Sequence, residues 1–129
     1  MKGFAFAALA SLGACQGDET VRAYGAANVI WTLNEINGTP FPATASLRFA
    51  EEGKITGKAP CNGYSATMTV PYPWFDVSEI ASTRMACPDL RAETAFFAAL
   101  EAATISEVSG RTLFLTNPDG LSMVFTAAD

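Results

Sequence analysis

Three cysteines have the widest chemical range of any residues in this sequence. They stand in "LGAC" at residues 12–15, in "APCNGYSA" at 59–66 and in "STRMACP" at 82–88. A cysteine beside a turn pair such as Asn62-Gly63 can serve as a nucleophile, a metal ligand or half of a disulfide. A thiol nucleophile needs a base to make its thiolate. The chain has no histidine to act as one. A zinc site needs more soft ligands than two cysteines. The other candidate groups are weaker. Asp76 and Glu79 are three apart, so a regular strand does not put them on one face as an acid/base pair. The sequence carries no Ser/His/Asp set, no phosphate loop and no metal-ligand spacing. By elimination it reads as a non-enzyme with no cofactor.

The first cysteine belongs to an address signal. Lys2 is followed by an apolar run from Phe4 to Leu12 and then by small residues up to Cys15. That is the layout of a secretory signal. The run is shorter than the roughly 20 residues a lasting transmembrane helix needs. Its end, Leu12-Gly13-Ala14-Cys15, resembles a bacterial lipobox. That resemblance implies cleavage before Cys15, a diacylglycerol on its thiol and acylation of the new amine. Several acyl chains give stable anchoring. Gln16, rather than Asp, leans the sorting towards the outer membrane. The expected organisation is a signal peptide at 1–14, the acylated cysteine with a tether at 15–28, and one folded domain at 29–127.

With Cys15 used by lipid, Cys61 and Cys87 remain as an even pair in an oxidising compartment. A disulfide is the reading that compartment and count support. Closing a loop of 26 positions should stabilise the fold by about 3.5 kcal/mol on the chain-entropy model.

The elements that must hold these residues are mostly strands. "VIWTLNEI" (29–36) ends at the turn pair Asn37-Gly38. "ASLRFA" (45–50) puts Leu47 and Phe49 on one face, "EEG" turns the chain, and "KITG" continues it. "YSATMTV" (64–70) alternates, with Tyr64, Ala66, Met68 and Val70 on one side. "PYP" (71–73) breaks the chain and "WFDVSEI" (74–80) follows as a further strand. "ISEVS", "TLFLT" and "LSMVFT" complete the set, the last two forming a hairpin across "NPDG". One helix is predicted over 88–103. Pro88 suits its first position, and Asp89 and Glu93 suit its positive start. Leu90, Phe96, Phe97 and Leu100 form its apolar stripe. About eight short strands and one helix predict a mostly β, α+β domain. The expected form is a small curled antiparallel sheet or incomplete barrel, with the helix packed against its opening.

The order of landmarks is "WTLNEING", "LRFAEEGKITGKAPCNGYSA", "EIASTRMACP", "AETAFFAALEAAT" and "TLFLTNPDGLSMVF". It resembles the META domain, also called the HslJ-like or DUF306 family, over residues 30–126. The sharpest matches are "CNGYS" and "STRMAC"; Pro60 stands where the family often has glycine. The resemblance implies a small barrel-like β domain with one helix, in secreted or envelope proteins linked to stress, antibiotic tolerance, motility or virulence. It implies no catalytic residue and no ligand. Asn62, Gly63, Tyr64, Thr83, Arg84, Met85 and Cys87 therefore carry over as structural motif positions.

Some of these residues leave two readings open. Asn62-Gly63 reads as a tight turn rather than a ligand site. Arg84 reads as a tie to loop carbonyls or a partner of Asp89, with anion recognition as the alternative. Trp31 and Trp74 read as core or rim, with an exposed aromatic patch around "PYPW" (71–74) as the alternative.

The formal net charge is −5 and no Lys/Arg run occurs, so nucleic acid is not an expected partner. The function expected is a lipid-anchored envelope module that faces the periplasm and supports envelope integrity under stress by binding another envelope component. The alternative is a carrier of a lipid or small apolar ligand in a barrel cavity. A filled interior favours the first, and an open apolar cavity of about 300 Å³ or more favours the second.

Overall fold

The computed structural model describes residues 17–128. The expected signal peptide and Cys15 lie outside the described residues. After a short 3-10 turn at Val21–Tyr24 come β1 (Trp31–Ile36), β2 (Thr39–Pro40), β3 (Ser46–Glu51), β4 (Lys54–Lys58), β5 (Gly63–Thr67) and β6 (Ser78–Ser82). The helix α1 (Leu90–Ala102) separates these from β7 (Ile105–Ser109), β8 (Thr112–Thr116) and β9 (Ser122–Ala127). The strands form one sheet in the order β6-β5-β4-β3-β1-β9-β8-β7, with β2 paired to β1. Every strand pair in it is antiparallel.

Local chemistry sets the tight returns. Asn37 and Gly38 both take positive φ, 53° and 81°. Those are the dihedral signs of the hairpin turn whose twist matches its flanking strands, and here they reverse β1 into β2. At the β8–β9 return, the Asn117 Oδ1 accepts from the N–H groups of Asp119 and Leu121. The sheet curls because its ladders slip at three places, Leu33/Glu35, Phe49/Glu51 and Ser65/Thr67. An extra residue on one strand bends it and increases the twist. The gap left by the curl is crossed by the segment before β6. Trp74 bridges Ile105 of β7, the Phe75 N–H donates to the Thr104 carbonyl at 2.9 Å, and the Ser106 N–H donates to Pro73 at 2.7 Å.

The alternating residues line the concave side. Leu47, Phe49, Ile55, Tyr64, Ala66 and Met68 are buried from one half of the sheet, and Trp31, Leu33, Leu113, Leu115, Met123 and Phe125 from the other. Helix α1 closes the opening with Phe96, Ala99 and Leu100. Phe96 meets Tyr64 edge-on at 5.6 Å between ring centroids, a favoured aromatic geometry. The interior of the half-barrel is thus occupied by the protein's own side chains.

Four sequence expectations change. The strand predicted at 64–70 pairs only to Thr67, although Met68 stays buried and Val70 half-buried on the expected side. The strand predicted at 74–80 pairs with β5 only from Ser78, because Trp74 and Phe75 turn across to β7. Leu90 is exposed, and the buried place on its helix face goes to Glu93. The segment read as a tether is packed from Thr20 onward. Val21 and Ala26 are fully buried, and the Ala26 carbonyl accepts from the Trp31 indole at 3.1 Å. This segment lacks an apolar period because single backbone contacts hold it, such as the donation from Tyr72 N–H to the Glu19 carbonyl at 2.7 Å.

Candidate functional site

The two hallmark segments meet at the start of α1. The Cys61–Cys87 disulfide joins them, with Cα atoms 5.8 Å apart. The return between β4 and β5 is made by residues 59–62, closed by donation from the Ala59 N–H to the Asn62 carbonyl at 2.8 Å. Gly63 is already the first residue of β5, opposite Lys58. The expectation of an Asn62-Gly63 tight turn is therefore corrected. Neither residue has the positive φ that such a pair supplies.

Asn62 is buried and acts as a hub. Its Oδ1 accepts from the Met85 N–H at 2.7 Å and the Thr83 hydroxyl at 2.9 Å. Its Nδ2 donates to the Met85 carbonyl at 3.0 Å and to Glu93 Oε2 at 2.7 Å. Those four bonds fill the capacity of an amide side chain. Glu93, 5% exposed, also takes the N–H groups of Cys61 and Asn62 on Oε1, each at 2.9 Å. A buried carboxylate needs such donors to replace water. The arrangement locks the 59–62 loop, the 83–87 segment and α1 into one unit. It fills the capacity of Asn62 and engages both oxygens of Glu93.

Tyr64 lies one layer deeper. Its hydroxyl donates to the Ser46 carbonyl at 2.7 Å. It passes over Gly57, where an added Cβ would collide with the Ser46 carbonyl oxygen and stand 2.8 Å from the Tyr64 hydroxyl. Sequence reading missed both Gly57 and Glu93. The only sequence signal for them was a glycine inside a strand and an acid in the first turn of a helix. Burial pushes the Tyr64 phenol well above its ordinary value. A folded-state value above the unfolded one gives stability that is complete below pH 10 and lost as pH rises beyond it. Urea titrations at pH 9 and pH 11 should therefore show a loss in the wild type that Tyr64→Phe reduces. The same variant should cost about 1–2 kcal/mol at neutral pH through the lost hydrogen bond. An unchanged alkaline loss would refute the assignment to Tyr64.

The remaining motif positions face water. Met85 spends its backbone on Asn62 while its side chain is 65% exposed. Arg84 is exposed and, among the described residues, forms no hydrogen bond or ion pair; the expected ties to loop carbonyls or Asp89 are not made. Trp31 is core as expected, whereas Trp74 is 57% exposed, which favours the aromatic-patch reading for that residue.

Beside the hub, Thr83, Arg84, Met85, Leu90 and Phe97 border an open recess of about 320 Å³. On the other flank of α1, a more apolar groove of about 460 Å³ lies between the β2 loop (Ile36, Pro40, Phe41, Pro42) and the helix start (Pro88, Ala92). Both open outward rather than into the curl of the sheet. Among the described residues there is no cluster of three or more acidic, cysteine or histidine groups that could hold a metal. Among them, too, no helix is long and apolar enough to cross a membrane.

The family model described as META domain matches residues 26–129. No curated protein matches the chain. Among solved structures, a protein from Burkholderia xenovorans determined by NMR is 20% identical. It covers 84% of this chain and 87% of its own, with a TM-score of 0.68. A DUF4847 family protein from Bacteroides vulgatus, a crystal structure, is 14% identical, covers 82% of this chain and 96% of its own, and has the same TM-score of 0.68. At these identities the likeness speaks for the fold.

Proposed function

We propose, from the premise that this chain belongs to the META domain family, that it is a non-enzymatic lipoprotein of a bacterial envelope that binds another envelope component. Its anchor is lipid on Cys15, and Gln16 directs it to the outer membrane, with the domain facing the periplasm. Its role is to support envelope integrity under stress.

The observation that carries this reading is the division between inside and outside. Trp31, Phe75, Phe96 and Phe125 are among the side chains that fill the half-barrel, each at most 2% exposed. A small barrel filled in this way leaves its interior to packing. The two recesses flank α1 at the surface: the smaller is bordered by Met85 and Leu90, which are 65% and 44% exposed, and the more apolar one by Pro40, Phe41, Pro42, Pro88 and Ala92. Exposed apolar groups clustered beside a rigid scaffold suit a partner. The disulfide and the Asn62–Glu93 hub supply that rigidity.

Photo-crosslinkers at Leu90 and Ala95 in intact cells test the reading. Repeated capture of one envelope protein is the expected result. A stoichiometric lipid co-purifying with the domain, with no protein captured, would overturn it. That outcome belongs to the second reading, a carrier of a small apolar ligand. The groove of about 460 Å³ favours this alternative by its size, but the ligand would then sit outside the curl of the sheet. The anchor has its own test. Growth with labelled fatty acid should label the wild type and not Cys15→Ser, and that variant should leave the membrane fraction. A Cys15→Ser protein that keeps the label refutes the anchor.

A further inference from the structure

Three aromatic residues, Tyr24 and Trp74 exposed and Tyr72 half-buried, stand where the chain enters the fold. Tyr24, at the end of the 3-10 turn, stacks on Tyr72, with ring centroids 4.5 Å apart and planes 13° apart. Tyr24 is 55% exposed and Trp74 57% exposed. Pro71 and Pro73, both exposed, flank Tyr72 and lack the backbone N–H that a continuous ladder would use. All of this lies along the outer edge of β7, part of which residues 73–75 pair. Gly25 stands against Val108 of that strand, and Trp74 bridges its Ile105. Ring bodies in water with a polar tip are the chemistry of the membrane interface, where Trp and Tyr concentrate.

The length of chain before the fold indicates what covers this face. Tyr72 donates its N–H to the carbonyl of Glu19, and Thr20 and Val21 are buried. Glu19 is four positions after Cys15, with three residues between them. Fully extended, those four steps reach no further than about 14 Å. An acyl group on Cys15 would sit in the bilayer, so the aromatic face would be held beside the headgroups. Tethering at that range makes the second contact intramolecular, so even a weak surface affinity is used.

We propose that the face formed by Tyr24, Tyr72 and Trp74 docks on the bilayer that carries the chain's own lipid anchor. This rests on the reading of Cys15 as the lipidated residue. The domain then lies against the membrane in a preferred orientation, and α1 with its recesses is presented to a partner from a defined height. The attraction is not electrostatic. The neighbouring cation Arg22 is paired with Asp18 at 3.5 Å, and the chain is acidic overall. Docking should therefore hold on zwitterionic lipid and persist at high salt.

The test uses the lipoprotein purified from membranes and reconstituted into phosphatidylcholine vesicles, with or without bromine on the acyl chains. Trp31 is 1% exposed, so the signal that Trp74→Phe removes reports Trp74. The expected result is that brominated lipid lowers the Trp74 emission about twofold and that acrylamide reaches it less than in detergent-free soluble Cys15→Ser protein. Molar salt should not reverse either effect. Equal Trp74 emission in plain and brominated vesicles overturns the docking. So does a Trp74 that stays open to acrylamide on vesicles but is shielded in native membranes, because its cover is then a protein. Mass spectrometry of the N-terminal peptide separates the two readings. Lipid present with Trp74 unquenched removes the docking alone. A Cys15 without lipid removes the anchor reading, and the docking with it.

Discussion

Glu93→Ala should be among the most destabilising single substitutions in the domain, costing about 3–5 kcal/mol in urea unfolding. The variant leaves three donors without an acceptor inside the protein: the N–H groups of Cys61 and Asn62 and the Asn62 amide. It also opens a void where a buried side chain stood. Glu93→Gln separates charge from shape. Its volume is kept, but an amide nitrogen opposite Asn62 Nδ2 sets donor against donor. If the Asn62 amide flips to avoid this, its two bonds to the Met85 backbone are broken instead. Asn62→Asp makes the opposite error, placing two carboxylates at the 2.7 Å of the native bond. Such a pair retains a proton in the folded state that the unfolded chain gives up. The folded state then binds more protons than the unfolded state, so the stability of Asn62→Asp should fall as pH rises through the carboxylate range. Combining Asn62→Asp with Glu93→Gln restores a donor opposite an acceptor. The double variant should be more stable at pH 7 than the two single losses add up to. Strict additivity would show that this contact is not what the hub provides.

Loss of the Cys61–Cys87 bond should cost about 2–5 kcal/mol. The bond closes a loop that contains β5 and β6, so its removal releases the β6 edge of the sheet as well as the hallmark loop. Reduction should also raise the urea m-value, because the reduced denatured chain exposes more surface than the cross-linked one. The bond and the carboxylate share a target, since the Cys61 N–H donates to Glu93. The penalties for removing both should therefore overlap, leaving a coupling of about 1 kcal/mol or more in a double-mutant cycle. An unfolding midpoint that reduction does not move would end the structural account of these cysteines.

Much of the fold was legible because burial has a local period. Leu47 and Phe49, Tyr64, Ala66 and Met68, and Leu113 and Leu115 alternate in the sequence and line the interior in the structure. The helix read over 88–103 occurs at Leu90–Ala102, because an alanine-rich run bounded by Pro88 has one favourable conformation. The Cys61–Cys87 pairing was legible as well, since an even pair in an oxidising setting leaves little choice. These inferences need only a residue and its near neighbours.

What the tertiary structure alone decided depends on residues distant in sequence. Asn62 and Glu93 are 31 positions apart, so nothing near either one marks Glu93 as the acceptor for a loop. Gly57 is required by the Ser46 carbonyl and the Tyr64 ring on neighbouring strands, and a strand pattern does not record what crosses above it. Trp74 is exposed because its backbone is drawn across to β7. Residues 20–28 are packed because β3 and the segment before β6 offer them partners. Periodicity states which side of an element avoids water. Only the assembled chain settles which far-off group satisfies a buried polar atom, because that free energy belongs to a pair and not to either residue.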